Sequence, residues 1–147
     1  MNVTQPYQGH FDGKDHLFAV RVYFEDTDFS GVVYHARYLH FMERARSDML
    51  TRAGIDQRGV HDAGEGAYAV THVDIRFRRA ARFDDALLVT SQVMAVRGAS
   101  CDIQQKITRG DELIIEADVT AALIRPDGRP GRQPKEWIDA FQSIMAS

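Results

Sequence analysis

A single long segment of this chain repeats its apolar residues at helical spacing, and almost everything after it alternates. Tyr38, Phe41, Met42, Ala45 and Met49 recur at steps of three and four, which predicts an amphipathic helix running from about Val33 to a left-handed cap at Gly54. Arg44 with Asp48 and Asp48 with Arg52 add i,i+4 charge pairs along it. Before the helix, Phe18, Val20, Val22 and Phe24 share one side of a period-two strand whose other side carries Arg21 and Glu25. After it come a Gly-rich connection (Gly59, Gly64, Gly66) and a strand in which Val73, Ile75 and Phe77 alternate with Asp74, Arg76 and Arg78. A further strand over 86–96 follows. Cys101, Ile103, Gln105 and Ile107 form the next, and Leu113 to Leu123 the last. Turns at 97–100 and 109–111 make these strands antiparallel neighbours. From Pro134, Trp137 and Phe141 suggest a short closing helix. An antiparallel sheet with one apolar face needs cover, and only the long helix is large enough to supply it. The expected class is therefore α+β, a sheet wrapped around one helix.

Composition narrows what such a fold can do. At 147 residues with 44% apolar content, the chain suits one domain with a full core. No apolar run exceeds four residues, so no membrane insertion is expected. The first sixteen residues hold Pro6, Gly9, Asp12, Gly13, Lys14 and Asp15 rather than the apolar block of a secretory signal. We expect a short loose leader over 1–16, a single domain over 17–147 and a cytoplasmic location. The lone cysteine, Cys101, excludes an internal disulfide and any multi-cysteine zinc site; its register with Ile103 makes it a small buried apolar residue. A net charge of −3 argues against nucleic-acid binding, although Arg76, Arg78, Arg79 and Arg82 cluster within seven positions.

The chemistry concentrates between Phe24 and His35. Glu25, Asp26 and Asp28 place three carboxyls within four residues, and mutual repulsion with partial burial is expected to raise the pKa of one, as suits a general base. Gly31 permits close backbone approach. The amides of Val33, Tyr34 and His35 at the helix start are candidates to bind a carbonyl oxygen as it gains negative charge. The bland alternative is that the acids cap the helix and stay solvated. A calcium loop starting at Asp26 fails because its twelfth residue is Arg37, where a bidentate Glu is required. His35 and His40 are five apart and do not share a helix face as metal ligands, so no metal and no cofactor are expected.

The string Val22-Tyr23-Phe24-Glu25-Asp26-Thr27-Asp28-Phe29-Ser30-Gly31-Val32-Val33-Tyr34-His35, followed by Tyr38 and by Glu43-Arg44-Ala45-Arg46, resembles the 4-hydroxybenzoyl-CoA thioesterase family, which has the hotdog fold. Within it the chain looks most like the Tol-Pal-associated acyl-CoA thioesterases (YbgC type), and the likeness continues through 73–82, Asp84-Asp85, Arg97-Gly98 and Pro126. The resemblance implies hydrolysis of short to medium acyl-CoA thioesters. It places Asp28 at the catalytic aspartate, as base or nucleophile, and His35 where this subgroup carries a histidine. Gly31, Val33, Tyr34 and Tyr38 would line the substrate, and Arg76 and Arg78 are candidates for the CoA phosphates through bidentate bonds, with a solvated sheet face as the alternative. Relatives often carry Tyr where this chain has Phe24, so any role for that hydroxyl is lost. The resemblance also implies a homo-oligomer, dimer or tetramer, with each site built from two chains. Two other readings stay open: a non-catalytic acyl-thioester or envelope-complex binding module, and a hotdog hydratase or dehydratase, whose acid and histidine are arranged differently in sequence.

Overall fold

The computed structural model describes residues 4–146. Its strands are β1 (His10–Asp12), β2 (Asp15–Arg21), β3 (Ala67–Phe77), β4 (Ala86–Val96), β5 (Ser100–Arg109) and β6 (Glu112–Ile124), and its helices are α1 (Arg37–Arg52), α2 (Gln57–Asp62) and α3 (Lys135–Ile144). The strands form one antiparallel sheet in the order β1-β2-β4-β5-β6-β3. The long loop carrying α1 and α2 lets β3 cross to the far edge beside β6, while the short turns keep β4, β5 and β6 adjacent. The sheet curls round α1, the hotdog arrangement that the resemblance implies.

The helical periodicity decides which face of α1 is buried. Tyr38, Phe41, Met42, Ala45 and Met49 are buried on one face, and the first four pack with Phe18, Val22, Val89, Ile107 and Ile115. Each such large apolar side chain contributes roughly 1.5–3 kcal/mol on burial, so the α1 stripe is the main apolar tie between layers. α1 ends as its sequence suggests, with Gly54 at φ 86 just beyond the cap residue Ala53. A second cluster joins Met49 and Leu50 to Val93, Cys101 and Ile103. It is closed by Trp137 and Phe141 of α3, whose start at Pro134 agrees with the expected closing helix. Cys101 is buried there, as its register indicates.

Four local expectations need correction. The inward strand face stops at Val22: Phe24 begins a 3-10 turn over Phe24–Asp26 and is 84% exposed, because the chain bends once Tyr23 is tied to Asp26. α1 begins at Arg37 rather than near Val33, since Val33 is used first in a β-bridge to Thr27. The Gly-rich connection contains α2, capped by Asp56 through the Gly59 amide at 2.9 Å. The loose leader is also shorter than sixteen residues. Residues 1–3 and 147 lie outside those described, but from His10 the segment joins the sheet and His16 is fully buried.

The two sheet edges differ. β1 is three residues long, whereas β3 has eleven, is exposed on most of its length, and leaves Val70, Val73 and Phe77 open to solvent. A long edge strand with apolar side chains is a template for pairing with another chain.

Candidate active site

The loop between β2 and α1 is held at its base and free at its tip. Asp26 is 6% exposed and accepts from the Tyr23 amide at 2.7 Å, while its other oxygen pairs with Arg37 Nε at 3.3 Å. Arg37 also donates to the Glu25 carbonyl at 3.1 Å. One buried carboxylate thereby ties the 3-10 turn to the first residue of α1. No side chain caps α1, so the reading of the three acids as helix caps does not hold.

Beyond Asp26 the chain forms a tight hairpin. Thr27 bridges Val33, the Asp28 amide donates to Val32 O at 3.1 Å, and the Gly31 amide returns to Asp28 O at 3.0 Å. The turn needs the left-handed conformation that Gly31 adopts at φ 86. At the tip Asp28 is exposed and its Oδ1 accepts from both the amide (2.8 Å) and the hydroxyl of Ser30. The Ser30 hydroxyl, then its amide, hold the Asp28 carboxyl below the usual carboxylate range. The expected raised acid is therefore overturned for Asp28. Bonds that favour the charged form act here, and repulsion from its acidic neighbours does not.

The helix entrance offers fewer free amides than expected. The Val33 amide donates to Ala81 O at 2.8 Å and the Tyr34 amide to Asp26 O at 2.9 Å, so both are spent on the backbone. The His35 and Ala36 amides have no protein acceptor among the described residues, and they stand at the positive end of α1. The His35 ring is exposed, 4.6 Å from the Tyr34 ring and 6.4 Å edge-on to Phe77. Tyr38 is a correction to the substrate-lining set. It is buried, its hydroxyl accepts from the Ala81 amide at 3.0 Å, and burial pushes that hydroxyl up. It anchors the segment after β3 rather than facing a ligand.

Gly31, Asp28, Tyr34 and His35 thus gather at one end of α1, with Val33 buried beneath them. Arg76 and Arg78 are not brought to this group. Both are exposed, Arg76 near the end of β3 and Arg78 just beyond it, and Arg78 lies 3.4 Å from Glu116. The sequence did not single out the supports: the Asp26–Arg37 tie, the Ser30 hydroxyl, and Asp85. Asp85 accepts from the Arg82 amide and from Arg109 Nη1, each at 2.8 Å, and its carbonyl takes the Val22 amide at 2.9 Å. The D-x-S spacing of Asp28 and Ser30, an Asx-turn signature, is the signal that could have found the Ser30 support. Phe24, Phe29, Tyr34, Phe77 and Phe83 leave an exposed aromatic rim near the acid loop, more than a closed monomer surface needs.

Residues 22–144 match the family model of the Thioesterase-like superfamily. The acyl-CoA thioesterase YbgC of Haemophilus influenzae is 39% identical over 86% of this chain and 94% of its own length. An acyl-CoA thioester hydrolase YbgC of Escherichia coli is 35% identical over 84% and 92%. Among solved structures, a probable thioesterase from Bartonella henselae superposes with a TM-score of 0.77 at 39% identity, covering 82% of this chain and 99% of the other. A 4-hydroxybenzoyl-CoA thioesterase mutant complexed with 4-hydroxybenzoyl-CoA gives a TM-score of 0.78 at 20% identity over 87% and 99%, a likeness of fold. With the fold, the acidic hairpin and relatives matched almost from end to end in agreement, the chain belongs to the thioesterase-like superfamily.

Proposed function

We propose that this protein hydrolyses short to medium acyl-CoA thioesters to the free acid and CoA, with Asp28 as the reacting carboxylate. The observation that carries the reading is the hairpin over 27–33, which presents an ionised Asp28 beside His35 and the unspent amides at the start of α1. A thioester carbonyl seated on the His35 and Ala36 amides would have its developing oxyanion stabilised. Asp28 then either takes a proton from water as that water attacks, or attacks the carbonyl itself to give a mixed anhydride that water opens. In both routes the C–S bond breaks, and the CoA sulfur leaves as thiolate and gains a proton. A low carboxyl pKa suits the nucleophilic route, since it keeps Asp28 charged at neutral pH.

The same chain alone leaves Asp28 in solvent, and this favours a site completed by a second copy. The long free edge of β3 and the aromatic rim near the loop support homo-oligomerisation. Arg76 and Arg78, beside that edge, would meet the CoA phosphates across such an assembly.

The test is thiol release from a panel running from acetyl- to palmitoyl-CoA by wild type and Asp28→Asn, with sedimentation and circular dichroism on both. Release from the shorter members, lost in the variant, supports the reading. Absence of release from every member, or equal rates in both proteins, overturns it; a binding module would retain its ligand with no turnover.

A further inference from the structure

Of the two side chains set to act on a thioester, Asp28 is held by hydrogen bonds and His35 is not. The Asp28 carboxyl is fixed by Ser30, but the His35 imidazole makes no hydrogen bond or ion pair among the described residues. An exposed side chain without such ties changes rotamer on a picosecond to nanosecond scale, whereas a group that serves a reaction needs a fixed direction. The Ser30 hydroxyl and amide do most to lower the Asp28 carboxyl, and the charge of His35 lowers it further. The placing of the imidazole therefore matters to the acid even without a bond between them.

His35 is held instead by a row of rings. Ile75 and Phe77 share one side of β3, opposite the buried Ala117 and Ile115 of β6. Ile75 packs on the core, whereas Phe77, the last residue of the strand, stays 51% exposed. The Phe77 ring centroid lies 6.1 Å from that of Tyr38 and 6.4 Å, edge-on, from that of His35, and Tyr34 stands 4.6 Å from His35. Tyr38 in turn packs 6.2 Å from Phe41 and accepts from the Ala81 amide at 3.0 Å. The row Phe41, Tyr38, Phe77, His35, Tyr34 thus runs from the core to the acid loop, with every spacing in the range where aromatic pairs attract. Phe77 is its only member outside 34–41, so it is the ring through which the sheet fixes a side chain of the helix entrance.

We propose that Phe77 is a positioning residue for thioester hydrolysis, holding the His35 imidazole beside the Asp28 hairpin through contact between ring edge and ring face. This rests on the proposed hydrolysis, because only there does His35 have a reaction to serve. Leucine at 77 keeps an apolar side chain on Tyr38 but presents no ring to His35. Tyrosine keeps the ring.

The test uses the acyl-CoA that wild type hydrolyses fastest. Phe77→Leu should lower kcat about two- to tenfold, the worth of one aromatic pair expressed as a rate, with KM little changed, and Phe77→Tyr should stay near wild type. In a His35→Gln background Phe77→Leu should lower the residual rate no further, since its contact acts through the imidazole. In NMR spectra the carbon-bound ring protons of His35, assigned by their loss in His35→Gln, should shift in Phe77→Leu as the Phe77 ring current is removed. The inference is overturned by a wild-type kcat in Phe77→Leu, by an equal loss in Phe77→Tyr, by losses that multiply in the double variant, or by unmoved His35 protons. It is also overturned if Phe77→Leu sediments as a smaller species than wild type, which would make the ring an interface residue. Each of those failures leaves wild-type turnover and its loss in Asp28→Asn standing; absence of turnover in wild type sinks the hydrolysis and this inference together.

Discussion

Two of the molecule's histidine–aspartate pairs, one buried and one at the acid loop, differ in almost every physical respect. His16 and Asp48 meet under the β1–β2 hairpin with Nε2 and Oδ2 2.7 Å apart, His16 fully buried between Phe11 and Phe18 and its Nδ1 without a partner among the described residues. Asp48 also accepts from the Gly9 amide at 3.0 Å and lies 3.8 Å from Arg52. Asp28 and His35 stand in solvent with no bond between them. The closely bonded pair looks more like a catalytic dyad, yet no substrate reaches it. Contact between an acid and a histidine therefore says less about chemistry than access and free amides do.

The largest expected effect separates the pairs by activity. Asp28→Asn should lower thioester turnover by about 10² to 10⁴, the range of a positioned base, with an unchanged urea midpoint. Asp48→Ala should leave turnover per folded molecule near wild type and reduce stability. It strands the His16 ring and the Gly9 amide, at about 1–3 kcal/mol, a cost read as a lower urea midpoint. If Asp48→Ala abolishes turnover in a folded protein, the division between the pairs is wrong.

The third prediction concerns pH. Burial lowers the pKa of His16 from 6.5, and the bond and charge of Asp48 only partly oppose this. The unfolded chain then binds more protons than the native one between the lowered value and 6.5, so stability rises with pH in that window. The His16 contribution is complete above 6.5 and drains as pH falls toward the folded value. Urea midpoints measured from pH 8 downward should decline in wild type and decline less in His16→Gln. Equal slopes would remove His16 as the cause.

The smallest effect sharpens the other pair. Ser30→Ala deletes the hydroxyl bond to Asp28 and keeps the amide bond, so the carboxyl should rise toward its ordinary value. The acid limb of kcat/KM should move to higher pH, with little change in stability because Asp28 is exposed. An unmoved limb would mean that another group controls it.

Much of the architecture was legible in residue order because short-range periodicity encodes it. The alternation over 86–96 and 101–107 matches β4 and β5, the 109–111 turn joins β5 to β6, and the three- and four-residue steps from Tyr38 to Met49 mark the buried face of α1. Where local pattern misled, a longer-range bond had intervened. Val33 looked helical but its amide is committed to Ala81, and Phe24 continued the strand alternation until the Tyr23–Asp26 bond bent the chain. Tyr38 sat next to the site in sequence, and its hydroxyl was drawn into the core by Ala81.

The acidic stretch that forms the hairpin and the wrapping of a sheet on one helix follow from residue types and their spacing, which act over a few neighbours. Which acid is pinned and which is presented, and which amides stay free, depend on partners distant in the chain. Spacing does not encode those partners, because burial and hydrogen bonding are assigned only when separate segments compete for the same space.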